Sequence, residues 1–257
     1  MKKIMSFLLA ILTFVAVVPS FVACENEDED IKQGAQITLI TNKKLGETII
    51  LRFSEDNMPT EVIGAKKINE EEINLDGSVF EAGVVDVTYT LTSQTVIIKG
   101  NIIRFRCWDN GLTVLDVSRC PNLTLLQCDK NQLTQLDVSK NMQLERLSCS
   151  NNNITTLNVS KNSELKTLHC YNNKLTSLNI DNNPKLSTLN CEHNKIKAAE
   201  MSKIINALPD WNGKKIETDW GYAQSASLYV ISTDSSEENE ISEADIKIAQ
   251  DKNWRFE

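Results

Sequence analysis

Apolar and polar positions repeat along the middle of the chain with a constant period of 21 residues. Each copy has the frame L-x-x-L-x-C-x-x-N-x-L-x-x-L-x-V, with conservative changes at some apolar places. Five cysteines stand at the same place in successive copies: Cys107, Cys128, Cys149, Cys170 and Cys191. A fixed period of this length is the sequence signature of a solenoid, in which each copy stacks on its neighbours. We therefore expect no single copy to fold alone.

The residues around each cysteine predict a short strand. Side chains alternate between the two faces of a strand, so Leu126 and Cys128 point into the core while Leu125 and Gln127 point outward. An asparagine three residues after each cysteine turns the chain, and we expect these stacked side chains to bond buried backbone amides. The column consists of Asn110, Asn131, Asn152, Asn173 and Asn194.

Over residues 102–197 the frame matches the leucine-rich repeat pattern L-x-x-L-x-L-x-x-N/C-x-L, with cysteine at the third leucine position. The copy length and the cysteine column resemble bacterial leucine-rich repeat surface proteins, and among them the internalins with a cysteine ladder. The resemblance implies a β-rich α/β solenoid of about five 21-residue coils, spanning residues 101–197. It also implies an adhesion or ligand-binding role, without naming a ligand.

The cysteine column is predicted to hold free thiols. Stacked parallel strands lie about 4.8 Å apart, so equivalent Cβ atoms exceed the roughly 3.5–4.5 Å that a disulfide requires. The column also has an odd number of members. We expect small buried apolar side chains here. We expect no metal site, because no second cysteine or histidine column faces the first.

The segment before the repeats predicts a β-rich N-terminal cap over residues 35–100. Alternating β-branched residues indicate a hairpin of residues 35–40 and 48–53, and a strand over 84–91. The charged stretch from residue 66 to residue 76 is predicted to be a loop. A solenoid exposes apolar surface and strand edges at its open ends, so a cap is needed.

After the repeats, residues 198–257 predict a small α/β C-terminal cap. Helical spacing appears over residues 198–208 and again from residue 241 to about residue 250, with a strand over 225–231 between them. Residues 234–245 carry oxygen donors at the spacing of a calcium loop, but lack its usual glycine and final glutamate. We favour a capping box instead, with Ser242 as the N-cap.

The first residues predict export and lipid anchoring. An apolar run over residues 4–18 is shorter than a membrane span and is typical of a signal peptide, here residues 1–23. Ala23 before Cys24 resembles a lipobox, which implies lipid modification of Cys24, with simple secretion as the alternative. The acidic residues of 24–34 predict a solvated tether and resemble a surface-export tag. We expect a lipid-anchored protein at the surface of the outer membrane.

The net charge and the positions of the two histidines argue against nucleic-acid binding and against catalysis. A net charge of −8 argues against a nucleic-acid partner. Cys170 points inward while His169 points outward, and His193 falls in another column, so no nucleophile has a fixed histidine partner. Asp129 and Glu192 stand three coils apart, on the order of 14 Å, too far for a glycosidase pair. We expect no catalysis and no cofactor.

The outward positions of the strands form the surface that the architecture repeats, here called the concave face. Exposed Trp, Tyr and Arg anchor interfaces, which predicts these binding residues: Arg104, Arg106, Trp108, Arg146, His169, Tyr171 and Glu192. Trp108 beside Arg104 and Arg106 is the predicted hot spot; the alternative is that the N-terminal cap covers Trp108 and packs on it. The predicted function is a cell-surface binding module for a protein or a glycan. The alternatives are an envelope spacer and a polysaccharide-binding accessory lipoprotein.

Overall fold

The computed structural model describes residues 34–73, 83–218, 221–223, 225–231 and 237–256. The predicted signal peptide and Cys24 lie outside these residues, as does the tether up to residue 33. Within the described ranges, no helix is both long and apolar enough to cross a membrane.

The N-terminal cap consists of strands in two sheets. The strands are β1 (Gln36–Thr41), β2 (Thr48–Ser54), β3 (Glu61–Ile63), β4 (Ala65–Ile73), β5 (Val84–Leu91) and β6 (Thr95–Lys99). One sheet contains β3, β6 and β1, and the other contains β2, β5 and β4. Alternate residues of both sheets, such as Leu39 and Leu51, are fully buried in a shared core. The β-rich cap is therefore confirmed.

The predicted hairpin of this cap is wrong. Strand β1 pairs with β6, whereas β2 pairs with β5, so the two strands lie in different sheets. Each strand has one largely apolar face, and placing the strands in opposite sheets lets those faces pack on each other. The alternating pattern identified the strands but could not identify their partners.

The predicted charged loop from residue 66 to residue 76 is also wrong over its described part. Residues 66–73 belong to β4, which runs along β5 with a bulge between Lys67 and Asn69. The strand stands at the end of its sheet. Charged side chains are typical of an exposed edge strand, because they oppose pairing with another chain.

Each coil of the repeat region contributes one short parallel strand. These strands are β7 (Arg104–Arg106), β9 (Leu125–Gln127), β11 (Arg146–Ser148), β13 (Thr167–His169) and β14 (Thr188–Asn190). Their register pairs residues 21 positions apart, so Ser148 lies between Gln127 and His169. The middle residue of each strand and the cysteine after it are buried. The predicted leucine-rich repeat solenoid and its cysteine column are confirmed.

The return side of the coils carries one strand of five residues and two of two residues. These are β8 (Leu112–Asp116), β10 (Leu136–Asp137) and β12 (Leu157–Asn158). The cap continues both sides of the solenoid, because β2 pairs with β7 and β1 pairs with β8, each antiparallel. The edges of the first coil are therefore covered on both sides.

The asparagine column bonds neighbouring coils together, as predicted. The amide nitrogen of Asn152 donates to the carbonyls of Cys128, 3.0 Å, Cys149, 3.0 Å, and Ser150, 3.2 Å. Its amide oxygen accepts from the backbone N–H of Leu133 at 3.0 Å. Equivalent bonds repeat along the column at Asn131, Asn173 and Asn194.

A second asparagine column lies at the opposite turn of the coils. The amide of Asn162 donates to the carbonyls of Val138 at 3.0 Å and Asn141 at 2.8 Å. Asn141 and Asn183 make the same pair of bonds one coil away. The sequence placed a turn here, but the hydrogen-bonding role of its asparagine was not predicted.

The C-terminal cap contains two helices and four strands among the described residues. They are α1 (Ala198–Ala207), β15 (Ile216–Thr218), β16 (Gly221–Ala223), β17 (Ala226–Tyr229), α2 (Glu243–Asp251) and β18 (Trp254–Phe256). The predicted capping box is confirmed: the Ser242 hydroxyl accepts from the N–H of Asp245 at 3.1 Å. The calcium loop that was the alternative begins with residues 234–236, which lie outside the described residues.

The parallel sheet continues past the last cysteine coil. Strand β17 pairs with β14, and β18 pairs with β17. Asn239 supplies another rung of the asparagine column, donating to the carbonyls of Cys191 at 2.8 Å and Val230 at 2.7 Å. The sequence did not predict these strands and this asparagine as part of the stack, because the residues between Cys191 and Asn239 break the 21-residue period.

Asn152→Ala is expected to lower the free energy of unfolding by about 2–4 kcal/mol, because several buried carbonyls and one amide lose their partner. Urea unfolding followed by circular dichroism measures the loss. The matched control is Asn182→Ala, since Asn182 is exposed in a turn. Equal stability of the two variants would contradict the role of the column.

The ladder thiols are expected to resist alkylation in the folded protein. Burial raises the pKa of the Cys149 thiol, and a nearby carboxylate at Asp129 raises it further, so the reactive thiolate stays scarce as pH rises. Iodoacetamide at about pH 8, followed by mass spectrometry, should modify the five ladder cysteines only after denaturation. Ser148→Cys, on the outward side of the same strand, is the control and should react in the folded state. Rapid native labelling of the ladder would show that the coils open.

Candidate binding face on the parallel sheet

The concave face is the outward side of one ten-stranded sheet with the order β18-β17-β14-β13-β11-β9-β7-β2-β5-β4. One row of paired residues runs across eight of these strands: Asp86, Arg52, Arg106, Gln127, Ser148, His169, Asn190 and Tyr229. The sequence predicted only the five central members of the row. The face therefore extends onto both caps.

Six of the seven predicted binding residues are half-buried at this face. They are Arg104, Trp108, Arg146, His169, Tyr171 and Glu192. The register puts Arg104 and Arg146 in one column and His169 in the next. Partial burial fixes such side chains without hiding them, which suits an interface anchor. Whether they bind a partner stays a prediction.

The expected exposure of Arg106 is wrong, since this residue is only 2% exposed. Its register neighbours are Arg52 and Gln127, and its Nε donates to Oε1 of Gln127 at 2.8 Å. Leu125, also expected to point into solvent, is 4% exposed. It lies in register between Arg104 and Arg146, whose aliphatic stems are long enough to cover it.

Trp108 contacts the N-terminal cap. The guanidinium of Arg52 lies 4.4 Å from the centroid of the indole ring, a cation–π contact. Arg52 also forms a two-point ion pair with Asp86, in which Nη2 lies 2.7 Å from Oδ2. The cap therefore packs on Trp108, which is one half of the alternative stated above. Trp108 nevertheless remains half-buried rather than covered.

A cavity of about 270 Å³ opens at this junction of cap and first coil. Its lining includes Ile50, Arg52, Arg106 and Trp108. The Ile50 side chain is 50% exposed, although its strand neighbours Ile49 and Leu51 are fully buried. The cavity thus combines guanidinium groups, the carboxylates of Asp86 and Asp109, and apolar surface. The sequence does not predict it, because it depends on the pairing of β2 with β7.

The carboxylates Asp129 and Glu192 of the coils lie in the column of Trp108, whereas Asp86 of the cap lies in the same row as Arg52 and Arg106. Asp129 accepts from the Ser148 hydroxyl at 2.6 Å and from the N–H of Ser150 at 2.9 Å. At the far end, burial raises the pKa of the Glu192 carboxyl. The N–H of His193 donates to the Glu237 carboxylate at 2.9 Å. These acids are held mainly toward the middle and C-terminal end of the face.

A residue with left-handed backbone conformation stands three positions after the end of each of the five strands β7, β9, β11, β13 and β14. The residues are Asp109, Lys130, Asn151, Asn172 and His193, with φ between 50° and 56°. Asn and Asp tolerate this conformation best among residues with a side chain. The sequence placed these residues in one column, but its mixed composition did not reveal the shared backbone conformation.

No group of three or more His, Cys, Asp or Glu side chains in the described part of the chain is arranged to hold a metal ion. The ladder thiols are buried and free. Burial raises the pKa of the Cys170 thiol well above its ordinary value. The Cys170 thiol is therefore a poor nucleophile, and it lies on the buried side of the strand, whereas His169 lies on the outward side.

The chain matches no protein-family model and no curated protein. Among solved structures it is similar to the functional domain of InlJ from Listeria monocytogenes, which includes a cysteine ladder. The two share 37% identity over 40% of this chain and 23% of that chain, with a TM-score of 0.38.

Two further solved structures are similar at lower identity. A leucine-rich repeat protein of Leptospira interrogans has 21% identity over 59% of this chain and 41% of its own, with a TM-score of 0.42. An internalin, InlF, of Listeria monocytogenes has 19% identity over 54% of this chain and 36% of its own, with a TM-score of 0.39. This chain spans less than half the length of each of these three structures.

Arg52→Met is expected to lower the free energy of unfolding by about 1–3 kcal/mol, because it removes the cation–π contact and leaves Asp86 unpaired at a shielded place. Urea unfolding measures the change, and Trp108 emission should shift to longer wavelength.

The control for this variant is Lys99→Met. Lys99 pairs with Glu61 at 2.8 Å, but the two side chains are 40% and 54% exposed, so the loss should stay below about 0.5 kcal/mol. A similar loss in both variants would mean that the Arg52 contacts add nothing specific.

Proposed function

We propose that this protein is a non-catalytic surface module that binds a protein partner on the concave face. The observation that carries the proposal is the continuous row across eight strands, in which the Arg52, His169 and Tyr229 side chains are interspersed with polar side chains on a rigid sheet. Rigid presentation of such side chains lowers the entropy cost of binding. Arginine and tyrosine are among the residue types that anchor protein interfaces.

The sheet itself supports recognition through side chains. Backbone N–H and C=O groups of the inner strands are paired with neighbouring strands, so a partner does not gain affinity by adding a strand there. The opposite side of each strand faces the core and is closed by buried leucines and cysteines. The outward columns are what remains for a partner.

A protein is favoured over a glycan by the spacing of the aromatic residues. Trp108 and Tyr171 occupy equivalent places three coils apart, on the order of 14 Å. One sugar ring stacks on one aromatic face, so the two residues do not form a single sugar subsite. A protein surface contacts anchors at that distance together, since a standard interface buries roughly 800 Å² on each partner.

We also propose that Cys24 anchors the protein to the outer membrane by a lipid and that the acidic tether holds the repeats outside the cell. The support is the sequence alone, with small Ala23 before Cys24 and acidic residues behind it. Such a tether keeps the concave face accessible to partners at the cell surface.

The test is a screen of the purified chain on protein and glycan arrays, repeated with two variants. Thr167→Tyr with Thr188→Tyr adds bulk to the concave face, where both threonines are half-buried. It should weaken binding to a protein partner at least about tenfold. Thr134→Tyr with Thr155→Tyr adds the same bulk at exposed places after the turn and should change affinity less than about twofold.

Three outcomes contradict the proposal. A partner that binds both double variants equally would remove the concave face from consideration. Binding restricted to glycans would favour the polysaccharide accessory. A chain that binds nothing on either array would favour an envelope spacer.

A further inference from the structure

We propose that strand β4 is a dimerisation edge, at which two copies of this chain pair their β4 strands antiparallel and join their ten-stranded sheets. The partner is a second copy, because the charges along β4 complement those of the same strand in the reverse direction. Three observations support the inference: the open edge of β4, the order of its charges, and the bulge that determines which charges share a face. The inference goes beyond the proposed function and does not depend on it.

Strand β4 leaves one of its two edges open. It ends the ten-stranded sheet in the described part of the chain, with β5 on its other side. Every residue from Lys66 to Glu71 is exposed, and Ile68 among them is 56% exposed. An edge strand presents backbone N–H and C=O groups to a further strand. The N–H of Glu70 donates to the exposed side chain of Asn69 at 2.8 Å, a contact that the carbonyl of an approaching strand can replace.

The charges of β4 are ordered so that the strand complements itself. Two lysines at 66–67 and two glutamates at 70–71 stand on either side of Ile68 and Asn69. A twofold axis between positions 68 and 69 sets each lysine opposite a glutamate of the other copy. Opposite charges on facing residues stabilise a strand pair, and like charges destabilise it. Parallel pairing in register would oppose lysine to lysine and glutamate to glutamate, so the antiparallel arrangement is favoured.

The bulge between Lys67 and Asn69 determines which charges share a face of β4. Facing residues of two paired strands point to the same side of the sheet, so complementary charges must lie on the same face. In a regular strand, positions 66 and 71 would lie on opposite faces, because side chains alternate. The bulge adds one residue on β4 and thereby brings both positions to the same face.

The register with β5 shows the resulting faces. Lys66 pairs with Thr90 and Glu71 pairs with Asp86, and both of these partners are on the concave side of β5. The other two charged residues, at 67 and 70, pair with the buried residues at 89 and 87 on the core side. A slip by one residue would set a concave-side charge against a core-side charge, so one register is selected.

The contacts that β4 makes within one copy are weak enough to be exchanged. Lys67 forms an ion pair with Glu70 along the strand, but the two side chains are 50% and 39% exposed. Such a pair contributes little to stability, so replacing it by the same pair between two copies costs little. Ile68 stands beside the twofold axis, and pairing places it next to Ile68 of the second copy and removes apolar area from water.

The dimer presents two candidate binding faces in the same direction. Antiparallel pairing of two equivalent edges sets the twofold axis perpendicular to the sheet. Both concave faces therefore open to the same side of the joined sheet. A surface that carries several copies of a partner can engage both faces at once, which raises the overall affinity without any new contact.

Sedimentation equilibrium of the purified full chain at about 5 to about 500 μM tests the pairing. An edge contact buries less surface than the roughly 800 Å² per partner of a standard interface, so we expect a dissociation constant on the order of 10–100 μM. Raising NaCl from about 50 to about 500 mM should weaken the dimer about threefold or more, because salt screens the facing charges.

Two charge-reversal variants test whether the charges of β4 hold the dimer. Lys66→Glu with Lys67→Glu makes the edge acidic throughout, and Glu70→Lys with Glu71→Lys makes it basic throughout. Each variant alone should dimerise at least about tenfold more weakly, because like charges then face each other. An equal mixture of the two should form a heterodimer, since every facing pair again joins opposite charges. Recovery in the mixture also shows that neither variant lost the dimer by failing to fold.

The matched control is Lys140→Glu with Lys161→Glu, which reverses two exposed lysines in turns of the coils. It changes the net charge by the same amount as the acidic β4 variant, and it should leave the dissociation constant within about twofold.

Three results would overturn the inference. The first is a parent chain that stays monomeric at the highest concentration. The second is a dimer that persists in both reversal variants, which would place the interface elsewhere. The third is a pair of monomeric variants that stay monomeric when mixed, which would exclude antiparallel pairing of these charges. None of these results changes the proposed function, which the array screen tests separately.

Discussion

Hydrogen bonds from buried asparagine side chains hold this fold together. The turn after each concave strand leaves backbone groups that the strands do not pair, and an asparagine satisfies them from the next coil. The N–H of Leu133, for example, donates to Asn152 rather than to its own coil. Because each coil completes the turn of its neighbour, a single coil would contain unsatisfied buried amides. The stack is therefore the smallest stable unit, and its two ends need special treatment.

Both caps complete the end coils by the same means, which is hydrogen bonding between asparagine side chains and backbone groups. At the first coil, Asn110 accepts from the N–H of Ile50 at 2.9 Å and donates to its carbonyl at 2.7 Å, so the cap strand β2 takes the place of a preceding coil. At the last coil, Asn239 of the C-terminal cap bonds the carbonyl of Cys191. The caps are thus bonded into the column as well as packed against its ends.

The sequence predicts the repeats well and the caps less well, for a physical reason. In the repeats one spacing fixes strand, turn, register and burial together, so five coils support one another. In the cap, alternation shows that β1 and β2 are strands, but their partners are set by contacts distant in sequence. Asn239 likewise bonds Cys191 across 48 positions, with a helix between them, and no local pattern reports such a bond.

The candidate face shows the same division. Its columns follow from the period, which explains why Arg146 and His169 stand where the spacing predicts. The burial of Arg106 and the stacking of Arg52 on Trp108 do not follow, since both result from the pairing of β2 with β7. The candidate face is formed by the periodic coils and by the irregular cap, and the sequence predicts only the part that the coils contribute.

The position of this junction also bears on recognition. The cap covers both edges of the first coil, so the arginines next to it stand on the part of the sheet with neighbours on every side. Charged groups held in place this way lose less entropy on binding than mobile ones. Glu192 and Glu237 lie near the last cysteine coil, and Arg255 stands on the same sheet beyond it. Charges of both signs therefore occur at each end of the face, with Asp86 beside Arg52 at the first coil.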